Sequence, residues 1–530
     1  MEVDRVKVRM YKKLLGDCFL ISVEGSDRNQ PASAHILVDC GVLQGTRGSK
    51  DLMVAAVEDI YATAGDKGLD LVVVTHEHYD HICGFKLADH LFEERGFDNL
   101  WMAWTDDPDD PDGKQLQEQF GQAYAALAGM AARFGVRTAF DDFENEALLG
   151  LAGFSGPLAV PLDEGGEGEE ALTSAQDGLA AAKRARTVRG SRKIYLALKE
   201  WAGSTRYLSP GEVTRTPGAI GLRTFVLGPP RDRDLLGKSI PSSGENQETY
   251  FALAGESLGS IEPSQDEASP ESRAREKRIC DSAQKLSPFS PRFRWRSFAE
   301  QRDATDDGEA TRFLAERYFA EHSAGKDFSE GEPLAHRRID DAMRSTFSSL
   351  ALKMDNNTNN TSLVLAFELP DDAGTMIFAA DAQVGNWLSW GSVVFKEGGK
   401  SLATTSADLL RAARLYKVGH HGSHNATLRE HGLEEMVHDE LVALIPTDEE
   451  FARRQSGGWE MPDAHLNQAL LKKSKGRILR GDRAAKEAID LHREMASKAS
   501  AERFAKRVKD TDLYVEFTVF DRQLGDGKRD

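Results

Sequence analysis

Residues 76–81 read HEHYDH, and this string follows directly on the mostly apolar run LDLVVVT at 69–75. A short apolar run of this kind is typical of a strand buried on both faces, so the string begins where a strand ends. Three imidazoles and a carboxylate within six residues can direct several ligands at one place. Imidazole suits zinc and similar metals, while a carboxylate can hold a second ion. The candidate ligands in this string are His76, His78, Asp80 and His81.

Two later segments offer ligands of the same kind, and each also follows an apolar run. FAAD places Asp381 at the end of one run, and KVGHHGSH places His420, His421 and His424 in a glycine-containing loop after another. Taken singly, a strand-end aspartate is ordinarily a turn residue or a helix cap, and loop histidines are common on surfaces. Because all three segments follow strands, their order along the chain predicts one shared metal site.

The rest of the chain alternates between β-rich and helical texture, which predicts an α/β protein. Core-like segments with short apolar runs lie at 1–105, 205–230 and 355–530, the last with one long helix and a closing strand near its end. Residues 106–204 include an alanine-rich stretch and predict a helical insertion. Residues 231–354 are rich in Ser, Pro, Glu and Arg, which predicts an insertion that is partly disordered and partly helical.

The composition limits the class of protein and of partner. The 530 residues include 67 Lys and Arg against 86 Asp and Glu, a formal net charge of −19. An acidic chain repels polyanions at long range, which argues against a protein that coats nucleic acid, although bound metal ions could attract it at one cleft. Four widely spaced cysteines are typical of a reducing compartment. No run approaches the length of an apolar membrane span, so we expect a cytoplasmic protein without a membrane part.

The HxHxDH string, the later strand-end aspartate and the HHGS loop together resemble a metallo-β-lactamase-fold hydrolase. Within that fold, the chain is most similar to the hydrolase domain of competence-type DNA-uptake channel proteins, over about half of its length. The resemblance implies a four-layered αββα sandwich with large helical insertions. It does not imply an uptake channel, because no membrane spans surround the domain. The other matching motifs are GDCFLI at 16–21, LVDCG at 37–41, VLGPP at 226–230, NNTSLVL at 359–365 and KVGHHGS at 417–423.

The resemblance also implies a role for each matching residue and a cofactor of two divalent ions, zinc or alternatively manganese. The ligands would be His76 and His78 for the first ion, Asp80, His81 and His420 for the second ion, and Asp381 as the bridge. Asp39 would support the histidine loop without touching metal, and His421 would lie behind the ligands. Many family members have a further histidine before the bridging aspartate. This chain has no good candidate for it, although Asp106 could substitute.

A two-metal site of this kind predicts hydrolysis by a metal-bound hydroxide, without a nucleophilic Ser or Cys. Asp80 and Asp381 would be essential for catalysis, and His421 and His424 could each be a general acid, a phosphate contact or a plain loop residue. The nearest branch favours a phosphodiesterase or nuclease that acts on DNA or RNA. Two alternatives stay open. One is a small-molecule hydrolase for a lactone, thioester or cyclic phosphodiester, and the other is a scaffold that binds a protein partner and keeps a residual metal site.

Overall fold

Two large β-sheets and the helices around them are the main elements of the chain, which we describe from a computed structural model. The described residues are 2–133, 160–161, 187–188, 190–239, 241–242, 248–249, 356–454 and 459–527. The insertion predicted at 231–354 therefore lies mostly outside the described residues, and the insertion predicted at 106–204 is described only in part. The predicted α/β class is confirmed, and both large sheets are mixed.

The strands and helices have the following bounds in chain order. The strands are β1 (Glu2–Tyr11), β2 (Cys18–Asp27), β3 (Gln30–Cys40), β4 (Leu71–Val73), β5 (Phe97–Ala103), β6 (Val160–Pro161), β7 (Thr187–Val188), β8 (Ala202–Leu208), β9 (Val213–Arg215), β10 (Arg223–Gly228), β11 (Val364–Glu368), β12 (Thr375–Phe378), β13 (Lys396–Glu397), β14 (Lys400–Ser401), β15 (Ala413–Lys417), β16 (Val442–Ile445), β17 (Ile478–Arg480), β18 (Val508–Asp510) and β19 (Tyr514–Asp521). The helices are α1 (Ser49–Ala64), α2 (Tyr79–Leu87), α3 (Asp89–Arg95), α4 (Pro111–Arg133), α5 (Gly190–Trp201), α6 (Arg233–Leu236), α7 (Val384–Ser389), α8 (Ser406–Arg411), α9 (Glu449–Arg454), α10 (Ala464–Ser474), α11 (Ala485–Met495) and α12 (Lys498–Arg507).

The first sheet has eight strands in the order β18–β19–β1–β2–β3–β4–β5–β8. Pairing is antiparallel from β18 to β3 and parallel from β3 through β4 and β5 to β8. The apolar run predicted to be a buried strand contains β4, whose three residues are all buried. Since β3, β4 and β5 are parallel, their carboxyl ends lie at one edge of the sheet. That edge carries Asp39 and the HEHYDH string.

The second sheet has seven strands in the order β17–β16–β15–β12–β11–β10–β9. Its strands β12, β15, β16 and β17 are parallel neighbours, and the others pair antiparallel. The carboxyl end of β12 leads to Asp381, and that of β15 leads to the HHGS loop. Loops at the carboxyl ends of parallel strands are where α/β proteins commonly bind ligands.

Three hydrophobic clusters hold these elements together. One cluster combines buried residues of both sheets, and Phe19 of β2 contacts Phe378 of β12 edge-to-face at a ring-centroid distance of 5.7 Å. The second cluster packs the other side of the first sheet against α1, α2, α3 and α5. The third packs the other side of the second sheet against α7, α8 and α10. Each sheet is therefore buried on both faces, as its apolar strands require.

The C-terminal region differs from its sequence-based prediction. Instead of one long helix, α11 and α12 are separated at Ala496, whose backbone is extended with φ −139° and ψ 177°. The Ser497 side chain accepts a hydrogen bond from the Ser500 backbone N–H and caps the start of α12, as serine commonly does at this position. Among the helices of the described residues, none is both long and apolar enough to cross a membrane.

Candidate metal centre

The candidate ligands come together where the carboxyl ends of the parallel strands of both sheets meet. Thr75 marks the end of the β4 run, and its carbonyl accepts a hydrogen bond from the Leu363 N–H at 2.8 Å, which joins the first sheet to the segment before β11. Asp381 follows β12, and the His420 N–H donates to the Ala380 carbonyl at 3.1 Å. The convergence predicted from three separate strand ends is thus present in the fold.

Asp39 fixes the position of the histidine loop and the ring orientation of His81. Its Oδ1 accepts a hydrogen bond from the Thr75 N–H at 2.8 Å, and its Oδ2 accepts from Thr75 Oγ1 at 2.7 Å. The His81 Nδ1–H also donates to Asp39 Oδ2, at 2.8 Å. With Nδ1 engaged in this way, the other ring nitrogen of His81 is free to face the centre. A carboxylate that holds the far nitrogen of a histidine is a common arrangement behind metal ligands.

Four side-chain atoms, from Asp80, His81, Asp381 and His421, lie close to one another. The distances are 3.0 Å from Asp80 Oδ2 to His421 Nε2, 3.2 Å from His81 Nε2 to Asp381 Oδ2, 3.8 Å from His81 Nε2 to Asp80 Oδ2, and 3.9 Å from His421 Nε2 to Asp381 Oδ2. All four side chains are buried. Ligand atoms that each lie ~2.0–2.2 Å from a zinc-sized ion must be separated from one another by distances of this order.

His421 differs from its sequence-based assignment, which placed it behind the ligands. Its Nδ1–H donates to the Pro446 carbonyl at 2.8 Å, so its Nε2 faces Asp80. His420, the residue assigned as a ligand, has its Nε2 3.9 Å from Asp381 Oδ2. Both histidines have left-handed backbone conformations, with φ of 42° and 52°. These conformations are uncommon for non-glycine residues and concentrate at functional sites.

Asp17 is a further member of the cluster, and the sequence reasoning gave it no role. Asp17, His81, Asp381 and His421 each offer one ligand atom, and these atoms all lie within 4.8 Å of one another, so this group could hold a metal ion. The buried Lys417 ammonium, however, pairs with Asp17 and lies 3.5 Å from Asp381 Oδ1. It also donates to the Ala380 carbonyl at 2.9 Å. Lys417 therefore supplies positive charge at the Asp17 side of the cluster.

His76 and His78, the first two histidines of the HEHYDH string, lie next to this cluster. The His76 and His81 ring centroids are 4.2 Å apart, and those of His76 and His78 are 4.7 Å apart. His76 Nδ1 lies 3.1 Å from Thr75 Oγ1 and 3.3 Å from Ser362 Oγ. Its Nε2 has no hydrogen-bond partner in the described part of the chain. His76 therefore also presents a ring nitrogen that a metal could use.

The protonation states of the histidines divide them into two groups. Burial and the neighbouring histidines lower the pKa of His76 well below its usual value. Burial lowers the pKa of His78 to about 3 and that of His420 to about 4. Burial also disfavours the charged forms of His81 and His421, but the nearby carboxylates more than offset it and raise both pKa values. The first three are therefore neutral at pH 7, whereas the carboxylates around His81 and His421 favour the protonated forms of these two rings.

The buried carboxylates around His81 and His421 carry an excess of negative charge. Asp17, Asp39, Asp80 and Asp381 are all buried, with exposed fractions of 2% or less, and Lys417 is the lysine that contacts two of them. Burial raises the pKa of Asp381, yet His81, His420 and Lys417 bring it well below its ordinary value, so this carboxylate stays ionised. Buried charges of one sign must be neutralised by protons or by a cation. A divalent ion fits this excess of negative charge.

We expect metal binding to release protons, chiefly from His81. Metal and proton compete for the same ring nitrogens, so the affinity for metal should rise as pH increases above 6.5, through the raised pKa values of His81 and His421. Titration calorimetry in two buffers with different ionisation enthalpies measures the protons released. His78 and His420 add nothing in this range, because they lose their protons near pH 3–4. An affinity that stays constant from pH 6.5 to 8.5 would contradict this assignment.

Replacing Asp39 with asparagine should weaken metal binding without unfolding the chain. The amide would keep the shape of the side chain but lose the negative charge that holds the His81 Nδ1–H. Loss of such a supporting contact typically lowers metal affinity by ~10–100-fold. Asp98→Asn, at an exposed position on β5, is the matched control. Equal affinities for the two variants would show that Asp39 does not act through His81.

Two residues singled out from the sequence lie elsewhere. Asp106 is buried, but its Oδ1 accepts a hydrogen bond from Gln117 Nε2 at 3.2 Å and lies 3.6 Å from Arg192 Nη1. These contacts give it a structural explanation other than metal binding. His424 is exposed, three residues beyond His421. Its role as a general acid, a phosphate contact or a plain loop residue stays a prediction.

The glycines of two motifs allow the backbone segments of the site to approach closely. A Cβ atom on Gly41 would lie 2.0 Å from the Asp80 carbonyl oxygen, and one on Gly16 would lie 2.6 Å from the same atom. The Asp17 N–H donates to this carbonyl at 3.0 Å, and the Gly41 N–H donates to the Asp17 carbonyl at 2.9 Å. The three segments can interlock in this way only because side chains are absent at both positions.

Comparison with known proteins adds no relative from which a role could be transferred. A scan of the chain against protein-family models gave no match, and a search of curated proteins gave none either.

Proposed function

We propose that this chain is a metal-dependent hydrolase of the metallo-β-lactamase type. The observation that carries the proposal is the contact between His81 Nε2 and Asp381 Oδ2 at 3.2 Å. The other ring nitrogen of His81 already bonds to Asp39, and the Nδ1 of His421 already bonds to the Pro446 carbonyl. His81 Nε2 and Asp381 Oδ2 are both acceptor atoms when His81 is neutral, so they repel each other unless a proton or a cation lies between them. A catalytic metal ion would satisfy this arrangement and the excess of buried carboxylates.

The packing of the sheets supports the same family. One core cluster is shared by the two sheets, and each sheet has helices on its other side. We infer a four-layered αββα sandwich from this packing, with the metal centre at the edge where the parallel strands end. The motif order that suggested the family is consistent with this arrangement, because each motif lies at that edge.

Two groups of residues would hold the metal ions. For the second ion we favour His421 over His420, because its Nε2 faces Asp80 and its Nδ1 is held by the Pro446 carbonyl. The proposed ligands are His76 and His78 for the first ion, Asp80, His81 and His421 for the second ion, and Asp381 for both. Divalent ions held there would lower the pKa of a water molecule and polarise the bond that is cleaved.

The protein's own residues prepare the centre for this chemistry. Asp39 and the Pro446 carbonyl orient His81 and His421, so little rearrangement is needed when an ion binds. Lys417 contacts Asp381 Oδ1 and helps to keep that carboxylate ionised. Because all these groups are buried, their electrostatic interactions are stronger than they would be in water.

A phosphodiester is the substrate that we favour. The segment 231–239 lies beside the site, because Asn360 Nδ2 donates to the Lys238 carbonyl at 2.8 Å and Asn425 Nδ2 donates to the Ser239 carbonyl at 3.4 Å. This segment carries three basic side chains, Arg231, Arg233 and Lys238, each in an ion pair that is partly or fully open to solvent. Such pairs are weak and could exchange for substrate phosphates.

Metal analysis combined with three substrates tests the proposal. The purified chain should contain a divalent metal and should hydrolyse bis(p-nitrophenyl) phosphate, and a chelator should remove both properties. A simple lactone and a thioester are tested in parallel. Hydrolysis of only one of these would keep the metal centre and replace the phosphodiester by the small-molecule alternative. A chain that binds no metal, or whose turnover survives a strong chelator, would contradict the proposed function.

A pair of histidine variants tests the ligand assignment at the HHGS loop. His421→Ala should lower metal content and reduce turnover by at least about 100-fold, the upper range for loss of a supporting contact. His420→Ala should have the smaller effect on metal content, because His421 would still bind the second ion. His90→Ala, whose imidazole is 60% exposed on α3, is the control for the loss of a histidine. The reverse order of the two effects would restore His420 as the ligand.

A further inference from the structure

A buried asparagine close to the metal centre has a side chain whose bonding the described residues do not explain. Asn359 is 0% exposed, and neither its Oδ1 nor its Nδ2 has a hydrogen-bond partner among the described residues. An unsatisfied buried carboxamide lowers stability, and native proteins normally account for such a group with water, an ion or a ligand. The amide therefore points to something that binds at this place.

The turn that carries Asn359 is attached directly to the metal centre. The Asn359 carbonyl accepts a hydrogen bond from the Ser362 N–H at 3.1 Å. The Ser362 hydroxyl in turn lies 3.3 Å from His76 Nδ1 and accepts from the Asp381 N–H at 3.3 Å. One short turn thus positions a proposed ligand of the first ion, the bridging aspartate and the unexplained amide relative to one another.

A second buried amide beside Asp381 shows how Asn359 differs. Gln383 Nε2 donates to Asn356 Oδ1 at 2.8 Å, and the Gln383 backbone N–H donates to Asn360 Oδ1 at 3.1 Å. These bonds hold Gln383 in place through its backbone and its Nε2, although its Oε1 has no hydrogen-bond partner among the described residues. The Asn359 side chain has no bond of this kind at either end, so its conformation must be set by packing and by what it binds.

The first ion also needs another ligand. His76 and His78 supply two ring nitrogens, and Asp381 supplies one oxygen that it shares with the second ion. Metal sites of this type usually have four protein or water ligands. A carboxamide oxygen is neutral and hard, and ligands of this type suit manganese better than they suit zinc, which imidazole binds well.

We propose that Asn359 Oδ1 is the fourth ligand of the ion held by His76 and His78, and that it shifts the preference of this ion from zinc towards manganese. The inference rests on the proposed function, since it assumes that the cluster holds metal. It assigns a role to the first residue of the NNTSLVL motif at 359–365. It also accounts for the first ion without a third histidine.

Metal titration of the full chain, with three variants at this position, tests the inference. After chelation and dialysis, Mn²⁺ and Zn²⁺ are titrated separately by calorimetry, and bound Mn²⁺ is followed by electron paramagnetic resonance. Asn359→Ala should weaken the binding of one of two ions by at least about tenfold and leave the other unchanged. Asn359→Asp should retain two ions, because it keeps the oxygen. Asn359→His should raise the affinity of Zn²⁺ relative to that of Mn²⁺ by about tenfold or more.

Control measurements distinguish a metal-ligand role of Asn359 from a purely structural one. Asn467→Ala removes a half-buried amide from α10 and should bind both ions as the unchanged protein does. In chelator, Asn359→Ala should unfold at the same urea concentration as the unchanged protein or a higher one, because it removes an unsatisfied group. If Asn359→Ala bound both ions as the unchanged protein does, the inference would be overturned but the proposed function would stand. The same conclusion would follow if Asn359→Asp failed to retain the first ion. Absence of metal from the unchanged protein would overturn the proposed function as well.

Discussion

Replacing Asp381 with alanine should reduce turnover by at least about 10³-fold, on the scale seen when one essential group of a catalytic unit is removed. The carboxylate is fully buried, and it lies within 4 Å of His81, His420, His421 and Lys417. We expect the metal content to fall with the activity, because the proposed bridge between the two ions is lost. Elemental analysis and phosphodiester turnover measure the two effects on the same sample.

The same change should leave the metal-free protein folded. The cationic neighbours of Asp381 lower its pKa, so its ionised carboxylate stabilises the fold and its loss should cost some stability, while Lys417 keeps Asp17 as its partner. In chelator, the urea midpoint should therefore fall modestly while unfolding stays cooperative. Asp371→Ala is the matched control, since Asp371 is an exposed aspartate just before β12 and Asp381 lies just after that strand. Full turnover by Asp381→Ala, or its unfolding in chelator, would contradict the two-metal account.

The general position of the site could be predicted from the sequence because its ligands lie at strand ends. The run before His76 has the length and composition of a buried strand, and the same is true of the runs before Asp381 and His420. Parallel strands place their carboxyl ends at one edge, so three such patterns are enough to predict a shared site. The structure brings these segments together as expected.

The choice between His420 and His421 could not be made from the sequence. The two residues are adjacent, and which imidazole faces Asp80 depends on two consecutive left-handed backbone conformations. Such conformations are typical of glycine, and nothing in the letters HH indicates them. The orientation also depends on the Pro446 carbonyl, which comes from the end of a different strand.

Asp17 and Lys417 were missed for a related reason. They form a buried ion pair across 400 positions of the chain, and only the arrangement of the two sheets brings them together. Each was part of a quoted motif, but an aspartate after glycine and a lysine at a strand end have many ordinary explanations. The break between α11 and α12 had a local signal, because Ser497 is a good capping residue, yet helical periodicity continues on both sides of it.

The change with the largest expected effect on the fold of the site is Gly41→Ala. The added methyl group would lie 2.0 Å from the Asp80 carbonyl oxygen, 2.1 Å from the Asp80 carbonyl carbon and 2.3 Å from the His81 nitrogen. All three are backbone atoms, so no side-chain rotation can relieve the contact. The segment that carries Asp80 and His81 must move instead. We expect a loss of at least about 3 kcal/mol in the free energy of unfolding, the upper end of ordinary overpacking.

Metal binding should fail together with stability in this variant. Asp80 and His81 would both supply the second ion, and a ligand group must hold its geometry to within a fraction of an ångström to bind well. Gly121→Ala is the matched control, because a methyl group on Gly121 of α4 would meet nothing within 4 Å and alanine is the better helix former. Urea unfolding in chelator and metal content after reloading measure the two effects. Gly41→Ala could instead keep the stability and the metal content of the Gly121→Ala control. That result would show that the close approach of residues 39–41 to the histidine loop does not position Asp80 and His81.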